Sequence, residues 1–526
     1  MSQGDDTRRD EARAVGIPAA AALLAGSVLL SRVLGFARES LLAYQVGASG
    51  QADAYYAAFQ LPDLLNYLLA GGALSIAFLP LYTRTRTEQG EAAAERLLAT
   101  VLGTLGAIAL VGTAAMWFAA DALVAFQFPR FDAEKRALTV HLTRIVLPAQ
   151  LFFLAGGVVQ VPLLARGRFI AAAVAPLFYN GSIIAAGLLL APRIGVEGFS
   201  WGALAGAVLG PFLVPWLDAR RRVRVWLRVA PLDRAFLRYL LVAAPLMFGQ
   251  TLLTVDEWYD RWFGGLLGVG VIAHLSYARK LMQVPVAVVG QAIGAAALPT
   301  LAALHAAGKR AELDRVVLAA LRAGVALGVL AAAGALAFAD PLVQLLYRHG
   351  AFNSADAEEV ARLLAVFALA VPAWVAQQIA SRTFYARGDT WRPMALGTAV
   401  ALLAIPLYAT LGRSYGAFGL ASAGALGMSA NALATVVMAR RLHGAPSLGA
   451  LASSIARALA VAIAAGAAGR ALVRGDPGTL GSVRDLVLGG AAFLAVAAAG
   501  IALFGDESLR GAARRIVQRV FRRRRS

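Results

Sequence analysis

Fourteen apolar segments, most of them about 20 residues or longer, dominate this chain of 526 residues and leave it few ways to fold. They run approximately over Ile17–Val46, Asp53–Thr83, Ala94–Ala120, Leu138–Leu164, Phe169–Leu190, Gly198–Leu217, Phe236–Leu267, Val271–Leu304, Val316–Phe338, Val360–Tyr385, Pro393–Leu411, Ala417–Ala439, Leu448–Leu472 and Leu486–Leu503. A segment of this length satisfies its backbone inside a bilayer only as a helix, because barrel strands are short and alternate in polarity. The expectation is an all-α polytopic membrane protein with fourteen transmembrane helices.

Composition supports this and excludes several functions. Hydrophobic residues make up 59% of the chain and charged ones 15%, and the mean hydropathy is +0.67, far from the balance of a soluble domain. The net charge of +19 sits in short loops rather than on one face, which speaks against nucleic acid as a partner. With no cysteine and five scattered histidines, no metal site and no cofactor are expected. No phosphate-binding loop of the Gly-x-x-x-x-Gly-Lys-Ser/Thr type occurs, and no catalytic Ser/His/Asp set, so neither ATP-driven transport nor an embedded hydrolase is indicated. An embedded enzyme acting on a lipid-linked sugar would have only the acids of the seventh segment to work with. The first apolar run is too long for a signal-peptide core and is expected to be retained. Met1–Arg13 reads as a polar arm, and Glu507–Ser526 as a basic amphipathic helix lying on anionic lipid.

The loops sort by charge. Arg84/Arg86/Arg96, Arg166/Arg168, Arg220–Arg224, Lys309/Arg310/Arg315, Arg387/Arg392, Arg440/Arg441 and the terminal Arg522–Arg525 fall on one side of the expected topology. Gly47–Gln51 and Asn353–Glu359, on the other side, carry few cations. The positive-inside rule then places both termini in the cytoplasm, as an even helix count requires.

The chain also repeats itself. Asp121-Ala-Leu-Val matches Asp340-Pro-Leu-Val, and Leu164-Ala-Arg-Gly167 matches Tyr385-Ala-Arg-Gly388. Pro62 and Pro148 match Pro285 and Pro372, and Ala77-Phe-Leu-Pro80 matches Ala296-Ala-Leu-Pro299, all at a shift of about 220 residues. An even-helix repeat keeps its orientation, giving two pseudo-symmetric six-helix lobes with a substrate site expected between them. The N-lobe is assigned to 1–222 (helices 1–6), the C-lobe to 223–444 (helices 7–12), and 445–526 to helices 13 and 14 with the tail. Intramembrane prolines and the 30-residue first segment, about 45 Å long as a helix against a core of about 30 Å, imply bent helices. Gly35 beside Ser31 is the expected hinge in that segment.

Ionisable residues inside such segments mark function, because a cation in hydrocarbon normally faces a partner or a polar cavity. Arg32 and Arg38 share helix 1, and Asp53 opens helix 2. Pairing of Arg38 with Glu39 or Asp53 and snorkelling to the surface is the alternative to a cavity built for an anion. Helix 8 brings Arg279 and Lys280, the latter five residues before Pro285. Helix 7 brings Asp256, Glu257, Asp260 and Arg261 at i, i+4 spacings, open to two readings, local charge pairing and ion coupling.

The residues that open the chain resemble one family. Ser31-Arg-Val-Leu-Gly-Phe-Ala-Arg-Glu39, Ala52-Asp-Ala-Tyr55, Leu61-Pro-Asp-Leu-Leu65 and Gly72-Ala-Leu-Ser-Ile-Ala-Phe-Leu-Pro80 are similar to the opening block of the MurJ/MviN lipid II flippases. Tyr347-Arg-His-Gly-Ala-Phe352 and Phe384-Tyr-Ala-Arg-Gly-Asp-Thr390 resemble its second-lobe signatures. The resemblance implies membership of the multidrug/oligosaccharidyl-lipid/polysaccharide exporter superfamily. It implies movement of undecaprenyl-diphosphate-linked disaccharide-pentapeptide (lipid II) across the bacterial inner membrane by alternating access, for peptidoglycan synthesis. It further implies headgroup contact by Arg32, Arg38, Asp53 and Lys280, with Arg279 as a substitute cation, a groove for the polyprenyl tail at helices 13 and 14, and a sodium ion for which Asp256 and Asp260 are candidates. Asn66, Tyr67 and Gly71 stand where the family often has Arg, Arg and Glu, so no helix-2 arginine or glutamate is carried over. Export of another polyprenyl-linked oligosaccharide, and a non-transporting scaffold for cell-wall enzymes, are the competing readings.

Overall fold

A computed structural model describes residues 17–69, 74–253, 255–389, 391–444, 446–476 and 478–505. The N-terminal arm, Gly71 and the basic tail from Glu507 lie outside the described residues, and so does the amphipathic helix expected there. In chain order the helices are α1 (Ile17–Val46), α2 (Gly50–Ala58), α3 (Gln60–Leu69), α4 (Leu79–Gln89), α5 (Glu91–Phe118), α6 (Ala120–Gln127), α7 (Ala133–Val146), α8 (Ala149–Leu164), α9 (Ile170–Leu189), α10 (Ala191–Ile194), α11 (Glu197–Ala207), α12 (Val214–Ala219) and α13 (Arg234–Leu253). They continue as α14 (Val255–Gly264), α15 (Val271–Pro285), α16 (Ala292–Ala306), α17 (Arg310–Leu346), α18 (Ser354–Tyr385), α19 (Trp391–His443), α20 (Leu448–Arg470) and α21 (Thr479–Phe504). Short π-helical stretches occupy Leu74–Phe78, Val208–Leu213 and Val286–Gln291.

No strand occurs among the described residues, so the fold is all-α. Nine of the described helical spans have the length and apolar composition that a bilayer crossing needs. One of the nine, Trp391–His443, covers two of the expected segments because it breaks at Gly416. There φ is +60° and ψ −138°, a backbone state that a Cβ makes costly. The chain folds back so tightly that a Cβ on Gly419 would stand 1.9 Å from the carbonyl oxygen of Leu411. Large apolar side chains such as Val111, Phe118, Leu189, Leu403 and Ile463 are exposed along these helices, as a lipid-facing surface requires.

Packing divides the chain into two compact units, Met1–Thr254 and Val255–Ser526. In the first, α9 packs on α1 and α11, α2 on α7, α8 on α5 and α12, and α13 on α3 and α5. Phe78, Tyr82, Leu98, Val158, Phe236 and Tyr239 belong to its buried core. Since α13 contributes Phe236 and Tyr239 to this core, the packing boundary falls inside the segment expected as helix 7, some way beyond residue 222. In the second unit α18 packs on α15, α17 and α19, while α20 lies on α17 and α21 covers both.

The repeat is visible in the backbone. Positive-φ glycines recur in pairs about 220 residues apart: Gly47 with Gly270, Gly90 with Gly308, Gly167 with Gly388, and Gly195 with Gly416. The caps recur as well. Asp132 accepts the amide of Lys135 at the start of α7 (2.8 Å), and Asn353 accepts the amide of Asp356 at the start of α18 (3.0 Å).

Close approach of α8 to the π-helical stretch depends on Gly156, whose added Cβ would meet the Pro211 carbonyl oxygen at 1.8 Å. Gly156→Val is therefore expected to lower stability by about 1–3 kcal/mol or more, read as a fall in the thermal midpoint of purified protein. Gly35→Val, where nothing lies within 4 Å, is the control.

Candidate functional site

Each unit carries its own set of membrane-embedded charges. On α1, Arg32 and Arg38 are six residues apart, which puts them about 120° from each other around the helix. They meet different surroundings. Among the described residues Arg32 has no hydrogen-bond or ion-pair partner, and its side chain is half-buried. Arg38 is held: Nη2 donates to Glu39 Oε1 at 2.5 Å and Nη1 to Asn180 Oδ1 on α9 at 3.4 Å. Glu39, itself buried, also accepts from the Tyr56 hydroxyl on α2 at 2.6 Å, and Asn180 Nδ2 donates back to Ser31 Oγ at 3.2 Å. One guanidinium thus ties three helices together through charge-assisted hydrogen bonds.

Asp53 is fully buried. Its Oδ2 accepts from Lys135 Nζ on α7 at 2.6 Å, and the ammonium also lies 4.3 Å from the centre of the Phe131 ring. Lys135 escaped the sequence reading, since one lysine near a helix start looks like a solvated charge. Its signal was the N-cap Asp132 three residues before it, which fixes where that helix begins. In the second unit the equivalent helices make an equivalent link. His274 Nε2 on α15 lies 2.9 Å from Asp356 Oδ1 on α18. Asp53 and His274, like Lys135 and Asp356, are related by the repeat, so acid and base have exchanged helices.

The α14 and α15 charges meet as a compact cluster. Arg279 Nε donates to Asp260 Oδ2 at 2.8 Å, its Nη2 reaches the same oxygen, and its Nη1 reaches Asp256 Oδ2. The buried guanidinium also lies over the rings of Phe367 (4.8 Å) and Trp374 (5.7 Å) of α18. Gln283 Nε2 donates to Glu257 at 2.8 Å, and Arg261 stands 4.0 Å from that same carboxylate. Lys280, next to Arg279 but rotated about 100° around the helix, is half-buried with no hydrogen bond or ion pair to a described residue. Three acids and three bases balance here, so the cluster is neutral as it stands. The two candidate ion-coupling carboxylates are engaged by a cation of the protein itself, and among the described residues no group of acids and histidines is arranged for a metal.

The expected site residues thus fall into two classes. Arg32 stands without a described partner and Lys280 without a close ion pair, its charge acting on Glu257 from a distance, while Arg38, Asp53 and Arg279 are bound to carboxylates or an ammonium. Glu39, Tyr56, Asn180, Lys135, Gln283 and Trp374 complete the set. All but Glu39, already considered as a partner of Arg38, were missed, because only tertiary contact joins them to it.

Asp53→Asn is expected to cost about 3–5 kcal/mol, because it leaves a buried ammonium unpaired, and the double change Asp53→Leu with Lys135→Leu should recover most of that loss in thermal unfolding. Full stability of Asp53→Asn together with lost transport would instead give the carboxylate a substrate-contacting task. Arg279→Met should likewise destabilise by about 3–5 kcal/mol and be rescued when Asp256 and Asp260 become Asn.

A family model described as "Lipid II flippase MurJ" matches residues 42–479. A Rhizobium tropici protein, "Probable lipid II flippase MurJ", is 32% identical over 415 residues, spanning 74% of this chain and 75% of its own length. The "Lipid II flippase MurJ" of Burkholderia cenocepacia is 30% identical over 399 residues, 72% and 75% of the two chains. Among solved structures, one described as lipid II flippase MurJ in an inward closed conformation aligns with a TM-score of 0.77 at 20% identity, over 91% of this chain and 98% of that one. An inward-facing MATE family multidrug transporter of the MOP superfamily aligns at 0.68 and 16%, over 78% and 94%. The match over most of the length, in sequence and in fold, means that this chain belongs to the MurJ lipid II flippase family.

Proposed function

We propose that this protein is a lipid II flippase of the bacterial inner membrane, moving the undecaprenyl-diphosphate-linked peptidoglycan precursor from the cytoplasmic to the periplasmic leaflet by alternating access. Membership of the MurJ family over residues 42–479 carries this reading. It makes the protein a transporter rather than an enzyme. The all-α fold, its bent helices and its apolar exterior agree with it.

In this reading fourteen helices cross the membrane, both termini are cytoplasmic, and the repeat assigns 1–222 and 223–444 to the two lobes, with 445–526 added. The diphosphate is recognised by cations whose charge is not already committed. Arg32 in the first unit meets that condition, Lys280 in the second acts beside Glu257, and in a low-dielectric site a fixed cation facing an anion gains far more than it does in water. Arg38 and Arg279 contribute by exchange: a phosphate oxygen competes with Glu39 for one and with Asp256 and Asp260 for the other. Each exchange releases a carboxylate, which then takes up a proton or a monovalent cation such as sodium. Such a step links headgroup binding to ion movement through the same two guanidiniums. Asp53 acts through Lys135, by holding α2 on α7. The basic tail rests on anionic lipid.

Arg32→Ala, which removes a charge without a described partner, and Lys280→Ala, which removes one base of the α14–α15 cluster, are expected to leave folded protein at normal levels and to slow transport by roughly tenfold or more, equivalent to at least about 1.4 kcal/mol. Depletion followed by complementation reads this out as lipid II accumulation and lysis. Normal wall growth with both residues neutral would support a scaffold instead, and accumulation of a different polyprenyl-linked glycan would redirect the substrate.

A further inference from the structure

Away from the membrane-embedded charges, the first unit holds a second concentration of positive charge. The loop after α12 and the extended segment that follows it line an open pocket of about 340 Å³ formed by Trp216, Arg220, Arg221, Arg222, Arg224 and Glu95, together with Val223 and Val225. Four guanidiniums face one carboxylate there. That carboxylate is occupied, since Glu95 Oε1 accepts the backbone amide of Arg224 at 2.9 Å. Arg222 is bound to Asp218 at 3.3 Å, and Asp218 is shared with Arg168. Arg220, Arg221 and Arg224 are exposed and make no ion pair with any described residue. The Arg220 guanidinium lies 4.9 Å from the centre of the Trp216 ring, a cation–π contact.

Backbone hydrogen bonds pin the pocket to its surroundings. Val223 is buried, and its amide and that of Arg222 both donate to Ala219 O, at 2.9 and 2.8 Å. Beyond it the chain runs along one face of α5: Arg224 N binds Glu95, Arg228 N binds Ala99 O at 3.0 Å, and Ala230 N binds Thr104 Oγ1 at 3.1 Å. Gly103 permits this approach, because a Cβ there would stand 2.5 Å from the Arg228 backbone. Beside the arginines, Trp226, Leu227, Val229 and Leu232 are exposed. Arginines next to exposed tryptophan and leucine, at the end of membrane-spanning helices, suit the boundary between headgroups and acyl chains.

We infer that this pocket is a binding site for the phosphodiester headgroup of an anionic glycerophospholipid in the leaflet that meets the arginine-rich loops. The planar guanidiniums grip the phosphate oxygens through paired N–H donors, while Trp226 and Leu227 lie against the glycerol and upper acyl region. A polyprenyl diphosphate offers similar chemistry, but its headgroup carries a bulky glycan, whereas the pocket is shallow and flanked by apolar side chains at the bilayer edge.

The test uses the full chain in detergent, with phosphatidylglycerol as the probe and phosphatidylcholine as the zwitterionic reference, followed by thermal unfolding and native mass spectrometry. Phosphatidylglycerol should raise the unfolding midpoint of the parent protein above that in phosphatidylcholine and stay bound in the mass spectrum. In Arg220→Gln/Arg221→Gln/Arg224→Gln its affinity should fall roughly a hundredfold, from about one kcal/mol per charge. The single change Arg221→Gln, which touches only an exposed side chain, should cost about fivefold. Unchanged phosphatidylglycerol affinity in both variants would overturn the proposal. So would a response to inorganic phosphate equal to that to the lipid, which indicates a free anion, or selective retention of undecaprenyl diphosphate, which makes the pocket part of the substrate path.

Discussion

A charge buried among membrane-spanning helices must find a counter-charge or a polar cavity, and that requirement organises this fold more than any single apolar contact. Apolar side chains gain little by leaving lipid for another helix, so helix association here depends on close packing and on polar links. Lys135 with Asp53, Arg38 with Glu39 and Asn180, and Arg279 with Asp256 and Asp260 are such links, and each joins separate helices of one unit. Small residues permit the packing. Gly156 at Pro211 and Gly419 at Leu411 bring backbones to distances that no Cβ allows.

The same requirement separates working cations from structural ones. Arginines near the loops, such as Arg166 beside Glu91, Arg168 beside Asp218 and Arg392 beside Asp389, are neutralised by nearby acids and serve as anchors. Within the helices, only a cation left without an acid retains its full attraction for an incoming anion. A transporter for a diphosphate has use for both states. In the mechanism proposed above, a guanidinium without an acid binds, and one lent by a carboxylate can be returned, which lets the substrate depart.

Much of this was legible in the sequence. Hydropathy and length pointed to an all-α membrane protein, nine of whose described helical spans suit a bilayer crossing, and glycines separated by the 220-residue shift, Gly167 with Gly388 and Gly195 with Gly416, share positive φ. The helix-7 and helix-8 charges were legible as a group because i, i+4 spacing and one neighbouring segment bring them together. The partners of Asp53 and Arg38 were harder. Lys135 is 82 residues from Asp53 and Asn180 is 142 from Arg38, and no local rule couples such distances. The packing boundary was also beyond reach, because α13 is as apolar as its neighbours and only the fit of Phe236 and Tyr239 into the first unit's core assigns it. The arginine run at Arg220–Arg224 read as a topology signal, and its pocket depends on the extended strand of chain pinned to α5.

The two repeat-related links at the capped starts of α7 and α18 have an implication for how the halves of this molecule relate. In one half the acid comes from the shorter, earlier helix and the base from the capped one; in the other half the assignment is reversed. A segment transplanted from either half into the other would therefore set acid against acid, or base against base. The halves share a backbone plan but are chemically non-interchangeable. Each pair of helices is keyed to its own partner, one by Asp53 with Lys135 and the other by His274 with Asp356.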